Sequence, residues 1–544
     1  MKRTIFLIAS ILACFVSGAQ NMYDAANFCQ NTYYGTARSM GVGNAMTAIG
    51  GELGSVEINP AGSAVANYGQ IALTPGLTIS SVSASYSPVG DTQSGSPYRT
   101  GRTKFSMPNL GAMLTFDTHN NSGIKSFSFS FTSNTTNSFL NCSEAFGGNG
   151  YTSRLAENAA SATYFGYGED VLSKYGSFTS TDIPWDILTS YQGGLFSSYG
   201  SIPGSCGYVG NSEALSEGES YHYVPAELNQ NLIRNTFGTK RDLVLNFAVN
   251  VNDFLFIGAN LGLPVATYSF SELYSETPVN PEKFPITFLD KTGTATADTY
   301  YTGATSDYYY SARLSGVYGK FGVIVLPLKN LRIGAAIQTP TSFNVSESWS
   351  YAASSSYANS IFNDSEVSPE GTFSYRLISP LLANFGIAYT FAQKGFVSLD
   401  YEIADYSSMK FMAAGGGRNY TPELNEINRG IKEAMQPSHF VRFGAEFKPV
   451  PMIALRGGVN LITTPERGYS DKTWAYSLGI GYSSPGSFFV DLAARLTEYP
   501  ASAYGAYYDY DNYDQSGNLV NKASPIIVCN RKLWDVALTL GWRF

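Results

Sequence analysis

From Trp534 to Phe544 every second residue is large and apolar (Trp534, Val536, Leu538, Leu540, Trp542 and Phe544), and the residues between are Asp535, Ala537, Thr539, Gly541 and Arg543. A period of two places successive side chains on opposite faces of a strand, so this segment has one apolar and one polar face. Aromatic residues at both ends of so long a run suit a strand with lipid outside, a polar lumen inside and rings at the two interfaces. The pattern recurs at Trp474 to Tyr482. It recurs again at Phe488 to Leu496, where Phe489, Asp491, Ala493 and Arg495 take the second face, and at Val441 to Phe447, where Arg442, Gly444 and Glu446 do. Segments of this kind begin near residues 70, 102, 124, 239, 254, 308, 331, 371, 395, 438, 452, 473, 487 and 531. They predict an all-β fold, a transmembrane antiparallel barrel of about 14 strands.

The polar face predicts a lumen network. Arg442, Glu446, Arg456, Asp491, Arg495, Asp535 and Arg543 are expected to point inward and pair across water, since Arg facing lipid at the midplane costs about 2 to 4 kcal/mol. Short turns such as Thr118 to Gly123 and Asn252-Asp253 alternate with long polar connections at 138–238, 272–307 and 415–437. That is the asymmetry of periplasmic turns and outer loops. Within the last connection, Thr421 to Met435 reads as a short helix with Leu424, Ile427 and Ile431 on one face, decorating a loop.

Residues 20–68 lack the alternation and are rich in Gly and Ala, which predicts a compact plug ahead of a barrel spanning 69–544. Before them, Lys2 and Arg3, an apolar stretch from Ile5 to Val16 and the small residues Ser17, Gly18 and Ala19 predict a signal peptide, 1–19, cut after about Ala19. Cys14 follows Ile11-Leu12-Ala13, the alternative of a lipoprotein box, in which Leu12 is bulky for its slot. Export without a spanning helix leaves the periplasm, the outside or an outer-membrane barrel.

Composition narrows the chemistry. Aromatic residues make up 14% of the chain and charged residues 14%, with 54 Gly and a net charge of −8, which fits many strands and tight turns and leaves no basic surface for nucleic acid. The three histidines, His119, His222 and His439, lack metal-ligand spacing, and no nucleophile or phosphate-loop motif occurs, so neither an enzyme nor a bound metal or cofactor is expected. Asp509, Asp511 and Asp514 cluster in a Tyr-rich loop without the ordered ligand pattern of a calcium site. Cys142 and Cys206 share one predicted loop and are the candidate disulfide, free thiols being the alternative.

The plug carries a resemblance. Gly35 to Glu52, followed by Asn59-Pro60-Ala61-Gly62, resembles the amino-terminal hatch of the FadL and TodX family of outer-membrane transporters, where such a motif stands just before the first strand. Pro108-Asn109, Gly319 to Pro327 with Leu331 to Ile337, and Phe440 to Lys448 with Ile453 to Val459 resemble segments of the family's barrel. The connection after the third strand is longer than the family's, and Ser63 stands where a larger apolar residue is usual. The resemblance implies passive uptake of a hydrophobic compound, with fatty acids as the default and aromatic hydrocarbons or haem as alternatives. It also implies release through a lateral opening beside a kinked third strand, which falls near Phe129 to Asn137, with Phe129, Phe131, Ser133 and Asn134 as its candidate residues. A monomer in the outer membrane, in contact with lipopolysaccharide and assembled through its carboxy-terminal Phe544 strand, is expected. A surface barrel for adhesion or structure is the competing reading. It would have a polar, sealed lumen, whereas a transporter needs a continuous apolar path.

Overall fold

The computed structural model describes residues 22–88, 96–149, 152–199, 207–216, 221–289, 295–414 and 421–544. The expected signal peptide and Cys206 lie outside the described residues, as does 415–420.

Fourteen wall strands close into one antiparallel barrel. In chain order they are β1 Gln70–Ser87, β2 Tyr98–Asp117, β3 Ile124–Ser138, β4 Leu228–Val251, β5 Leu255–Pro278 and β6 Ala295–Leu328. There follow β7 (Leu331–Gln338, continued as Ser342–Tyr357), β8 (Gly371–Ile378 and Leu382–Thr390) and β9 (Gly395–Asp405 and Lys410–Ala413). The wall ends with β10 Pro437–Val450, β11 Ile453–Thr463, β12 Lys472–Ser483, β13 Phe488–Glu498 and β14 Ile526–Arg543. β14 pairs with β1 from Gln70 opposite Arg543 to Ser87 opposite Ile526, and Gly69 and Phe544 exchange backbone hydrogen bonds of 2.8 and 3.0 Å at the seal.

The period-two pattern maps onto the wall as predicted. Trp534, Leu538, Leu540 and Trp542 are exposed on the outer face, and Asp535, Ala537 and Thr539 between them are buried. Apolar side chains such as Phe247, Ile257, Phe321, Ile333, Phe385, Phe443 and Leu478 continue this outward belt around the barrel. Large apolar residues facing outward at every second position, over strands whose backbone is paired on both sides, form the surface that hydrocarbon requires. At one end the connections are tight. Asn252 and Asp253 take φ values of 56° and 54°, the paired left-handed conformation of a two-residue hairpin turn that Asn and Asp tolerate.

At the other end the wall is taller than the alternation indicated. The connection read as 138–238 contains a strand at Asn141–Asn149, four helices between Arg154 and Gln192, and the first eleven residues of β4. β5 runs on to Pro278 and β6 begins at Ala295, so most of 272–307 is wall, and Ser342–Tyr357 extends β7 where no strand was read. Above the hydrocarbon the outer face meets water, so an apolar outer row is no longer needed and the two-residue signature fades. The helix at Thr421–Ala434 is present, but it does not decorate a loop. Leu424 and Ile431 are buried in the lumen's apolar cluster.

Residues 22–66 lie inside the barrel, almost wholly buried. They carry short helices at Met22–Cys29, Ala37–Gly41 and Ser55–Ile58 and a 3-10 turn at Pro60–Val65. Inward glycines on successive strands let this segment's backbone lie directly on the wall. A Cβ on Gly258 or Gly322 would collide with Pro60 or Asn59, one on Gly334 with Thr47, and one on Gly444 or Gly458 with Val42 or Gly43. Leu at Gly444 is therefore expected to leave the barrel folded, as judged by heat-dependent gel mobility, while unseating the inner segment. The overpacking penalty is about 1 to 3 kcal/mol or more, and limited proteolysis should cut Gly444→Leu within 22–68 where the parent resists. Equal resistance would show that the contact does not hold the segment.

Candidate functional site

The Asn59-Pro60-Ala61-Gly62 turn is clamped to four strands. The Asn59 side chain accepts from Ala61 N at 3.1 Å, shaping the turn, and its Nδ2 donates to the Thr47 carbonyl at 2.7 Å and to the Val323 carbonyl of β6 at 3.1 Å. Asn246 of β4 donates to the Pro60 carbonyl at 3.0 Å and to Asn260 of β5 at 2.7 Å, and Asn260 donates to Val56 O at 2.8 Å. Ser63 donates to Asn246 at 2.6 Å and accepts from Ser128 of β3 at 2.9 Å. The serine that departs from the family's pattern is thus a hydrogen-bonding member of the clamp. Nothing in the sequence marked Asn246 and Asn260; their signal is an inward amide at one level of neighbouring strands.

Six of the seven predicted lumen charges pair. Glu446 receives Arg456 at 2.8 Å and Arg38 of the inner segment at 3.1 Å, and Arg456 reaches Asp491 at 2.5 Å. Arg495 pairs with Asp535 at 2.9 Å and donates to the Tyr33 carbonyl at 2.9 Å. Arg442 meets Glu402 at 2.9 Å. Arg543 does not join. It stands opposite Gln70 and lies over the rings of Tyr68 and Phe489. The Arg38–Glu446 pair ties the inner segment to β10 and the Arg495–Tyr33 bond ties it to β13, the other pairs joining wall strands to one another, and the partners Arg38, Glu402 and Thr47, whose N–H donates to Asp400 at 2.7 Å, were not read from sequence.

On the opposite side the wall is interrupted. The β2–β3 ladder runs from Asp117 opposite Ser126 up to Asn109 opposite Asn134 and stops there, at Pro108, which has no N–H to give. Beyond it the register with β4 slips between Thr135 and Asn137, and burial becomes continuous from Thr132 to Leu140. The chain turns into the lumen, where Thr136 and Thr135 accept from the backbone N–H groups of Thr32 and Tyr34 at 2.7 and 3.1 Å. Side chains bridge the open edge of β2. Arg241 donates to the Met107 carbonyl at 2.8 Å and to Ser133 at 3.0 Å, Thr135 donates to Met107 O at 3.2 Å, and Thr100 donates to the Cys142 carbonyl at 2.6 Å. Lys104 donates to the Gly238 carbonyl at 2.9 Å and to Thr239. Of the residues expected at the kink, Phe129 and Phe131 point outward from the regular ladder, Ser133 binds Arg241, and Asn134 is the last residue paired with β2. The slip against β4 lies between Thr135 and Asn137, at the end of the stretch from Phe129 to Asn137.

The inward turn delivers Phe139 to a packed apolar cluster that includes the first helix of the inner segment. Phe139 packs edge-on against Phe28 and Tyr268, ring centroids 6.1 and 5.2 Å away. Leu314, Phe343, Val345, Leu377 and Phe411 line the walls, and Leu424, Ile431 and Met435 cover the side. Polar groups here are few: the Tyr310 and Tyr375 hydroxyls each donate to Glu347 at 2.5 Å, and Asp24 faces Tyr268. Above this cluster the four helices between Arg154 and Gln192 roof the barrel, packed on Tyr301, Ala304 and Ala353. Arg154 anchors them to Glu272 at 3.0 Å and Ser153 to Glu276 at 2.7 Å.

The remaining candidates are dispersed. His119 sits in an exposed turn, His222 pairs with Glu213 at 3.0 Å, and His439 faces outward on Tyr401 at 2.7 Å. Asp509, Asp511 and Asp514 each accept from their own hairpin, from Ser524 N, Asn521 and Asn518 N, respectively. No cluster of metal-ligating side chains occurs among the described residues. Cys142 makes no disulfide with Cys29 or Cys529, and its proposed partner lies outside the described residues.

Burial raises the Asp24 carboxyl from its ordinary 3.8 to about 6, opposed in part by the Tyr268 hydroxyl. A raised carboxyl favours the seated helix when protonated. As pH rises the released segment ionises first, so stability is lost between about pH 4 and about pH 6. Hydrogen exchange across Met22–Cys29, corrected for intrinsic rates, is expected to accelerate over that window and to flatten in Asp24→Asn. The same pH profile in the variant would remove Asp24 as its cause.

No family model matches this chain, and no curated protein does. Among solved structures, a Pseudomonas aeruginosa FadL homologue aligns over 94% of this chain and 98% of its own at 12% identity and a TM-score of 0.49. The Pseudomonas putida toluene transporter TodX aligns over 93% and 97% at 12% identity with a TM-score of 0.44. The Ralstonia pickettii toluene transporter TbuX aligns over 93% and 98% at 14% identity with a TM-score of 0.41. The chain is similar in outline to outer-membrane channels of this kind, at values that carry nothing about its ligand.

Proposed function

We propose that this barrel stands in the outer membrane as a monomer and passes hydrophobic compounds, long-chain fatty acids foremost, by passive diffusion. The observation that carries the reading is the interruption between β2 and β3, where the ladder ends at Asn109 and Asn134 and Phe139 enters the apolar cluster. An apolar interior with a side exit onto lipid lets a long chain bypass a polar outer leaflet once its side chains give way, each CH₂ buried contributing about 0.8 kcal/mol. Residues 20–68 act as the hatch, of which 22–68 fill the bore and send the ligand sideways. An adhesive barrel has no use for an apolar interior, and the apolar cluster counts against that reading.

The seam also favours an anionic head group. Lys104 and Arg241 both reach into it, and among the described residues neither is paired with a carboxylate. Their present partners are carbonyls and hydroxyls, which an entering carboxylate would replace with stronger charge-assisted bonds.

Two experiments test this. Thr100→Cys, joined to the native Cys142 by a short bis-methanethiosulfonate cross-linker, which forms a disulfide with each thiol as methanesulfinate leaves, staples the seam and is expected to reduce uptake of labelled fatty acid to background, with recovery on reduction. Undiminished uptake through the stapled barrel would exclude a lateral route. Separately, Lys104→Met with Arg241→Met is expected to weaken fatty acid binding about tenfold, the equivalent of 1.4 kcal/mol, while leaving binding of an uncharged hydrocarbon unchanged. Equal losses for both ligands would mean that the cations serve the seam's structure alone.

A further inference from the structure

Outside the seam, one part of the outer wall departs from the apolar belt. β7, β8 and β9 break at the same level, at Thr339–Pro340–Thr341, Ser379–Pro380–Leu381 and Tyr406–Met409. Thr341 and Ser379 tie the first two breaks together, Ser379 N donating to Thr341 O at 2.9 Å and Thr341 N to Ser379 Oγ at 2.8 Å. Directly above the ledge lies a groove of about 520 Å³ on the outer surface, lined by Ser315, Val317, Ser342, Asn344 and Arg376.

The register places these residues in one patch. Ser315, Asn344, Arg376 and Met412 lie side by side across β6 to β9, and Val317, Ser342, Ile378 and Lys410 form the next row. Arg313, exposed on β6, stands two residues above Ser315. Arg313, Arg376 and Lys410 therefore form an arc of three cations around a floor of hydroxyl and amide groups. Arg376 donates to Ser342 at 2.8 Å, and among the described residues none of the three pairs with a carboxylate. The nearest outward acid in β9, Asp405, is occupied by Ser407 of its own turn.

Height decides what the patch meets. Arg376 lies fourteen residues above Thr390, the turn end of β8, which at strand rise and barrel tilt is roughly 35 Å, against an apolar band about 25 Å tall. The cations thus stand above the hydrocarbon, where their charge is tolerated, and the exposed Phe321, Ile337 and Phe385 lie below them in the belt. A ligand with phosphates level with the arc and acyl chains running down the belt matches both surfaces, and Arg is the side chain best shaped for phosphate oxygens.

We propose that this groove is a binding site for the phosphorylated head group of an outer-leaflet glycolipid of the lipid A type. It rests on the barrel's place in the outer membrane and not on the transported ligand, so it stands or falls apart from the uptake experiments. The test is native mass spectrometry of the detergent-purified barrel with bisphosphorylated lipid A, its dephosphorylated form and phosphatidylglycerol. The parent is expected to retain bisphosphorylated lipid A at least tenfold better than either control. The triple variant Arg313→Ser, Arg376→Ser, Lys410→Ser should lose that preference, and Arg313→Lys with Arg376→Lys should keep most of it. All variants should retain the parent's heat-dependent gel mobility, since the substituted side chains face outward. Equal retention by the triple variant, or equal binding of any control lipid, would overturn the site.

Discussion

Hydrocarbon offers a backbone no hydrogen-bonding partner, so within the membrane every N–H and C=O of the wall must find one in a neighbouring strand. That requirement closes β14 onto β1, sets the outward apolar rows and leaves few ways to make a hole. Here the ladder between β2 and β3 is released above Asn109 and Asn134, and the loose edge is met by side chains. Arg241, Thr135, Thr100 and Lys104 donate to main-chain carbonyls across the gap. A seam held by side chains can part and reseal by rotamer changes, whereas parting a ladder of backbone bonds would expose all of them at once. The freed chain at 135–140 compensates inside the barrel, accepting from Thr32 and Tyr34 of the inner segment.

The inner segment depends on the wall in a different way. Its backbone carries polar groups into a bore with little room for water, and the glycines facing it bring wall and segment into direct contact. The amides of Asn59, Asn246 and Asn260 then satisfy carbonyls that close packing would otherwise strand. On the other side, Arg38 of the segment pairs with Glu446, and Arg495, itself paired with Asp535, donates to the Tyr33 carbonyl. Breaking a buried pair by removing one partner typically costs about 3 to 5 kcal/mol, so these links fix where the segment sits. Its amino-terminal helix is held differently, by Phe28 among aromatic rings and by a carboxyl that burial raises to about 6.

Much of this was legible in the chain. The number of strands and their inward and outward faces follow from alternation alone, because lipid and lumen impose opposite demands on adjacent residues. The same alternation located Arg442, Glu446, Arg456, Asp491, Arg495 and Asp535 on the inner face. The Asn-Pro-Ala-Gly turn was visible as a local motif, since Asn59 shapes its own backbone.

Tertiary structure decided what no local pattern encodes. The wall's upper third, including Ser342–Tyr357, was invisible because both of its faces meet protein or water. Where the wall breaks depends on where β2 runs out of partners at Pro108, a matter of register between strands. The outer groove joins Arg313, Arg376 and Lys410 from three strands, which only the ladder's register brings together. Alternation along one strand fixes which way a side chain points. Which side chains then meet is set by pairing between strands far apart in sequence.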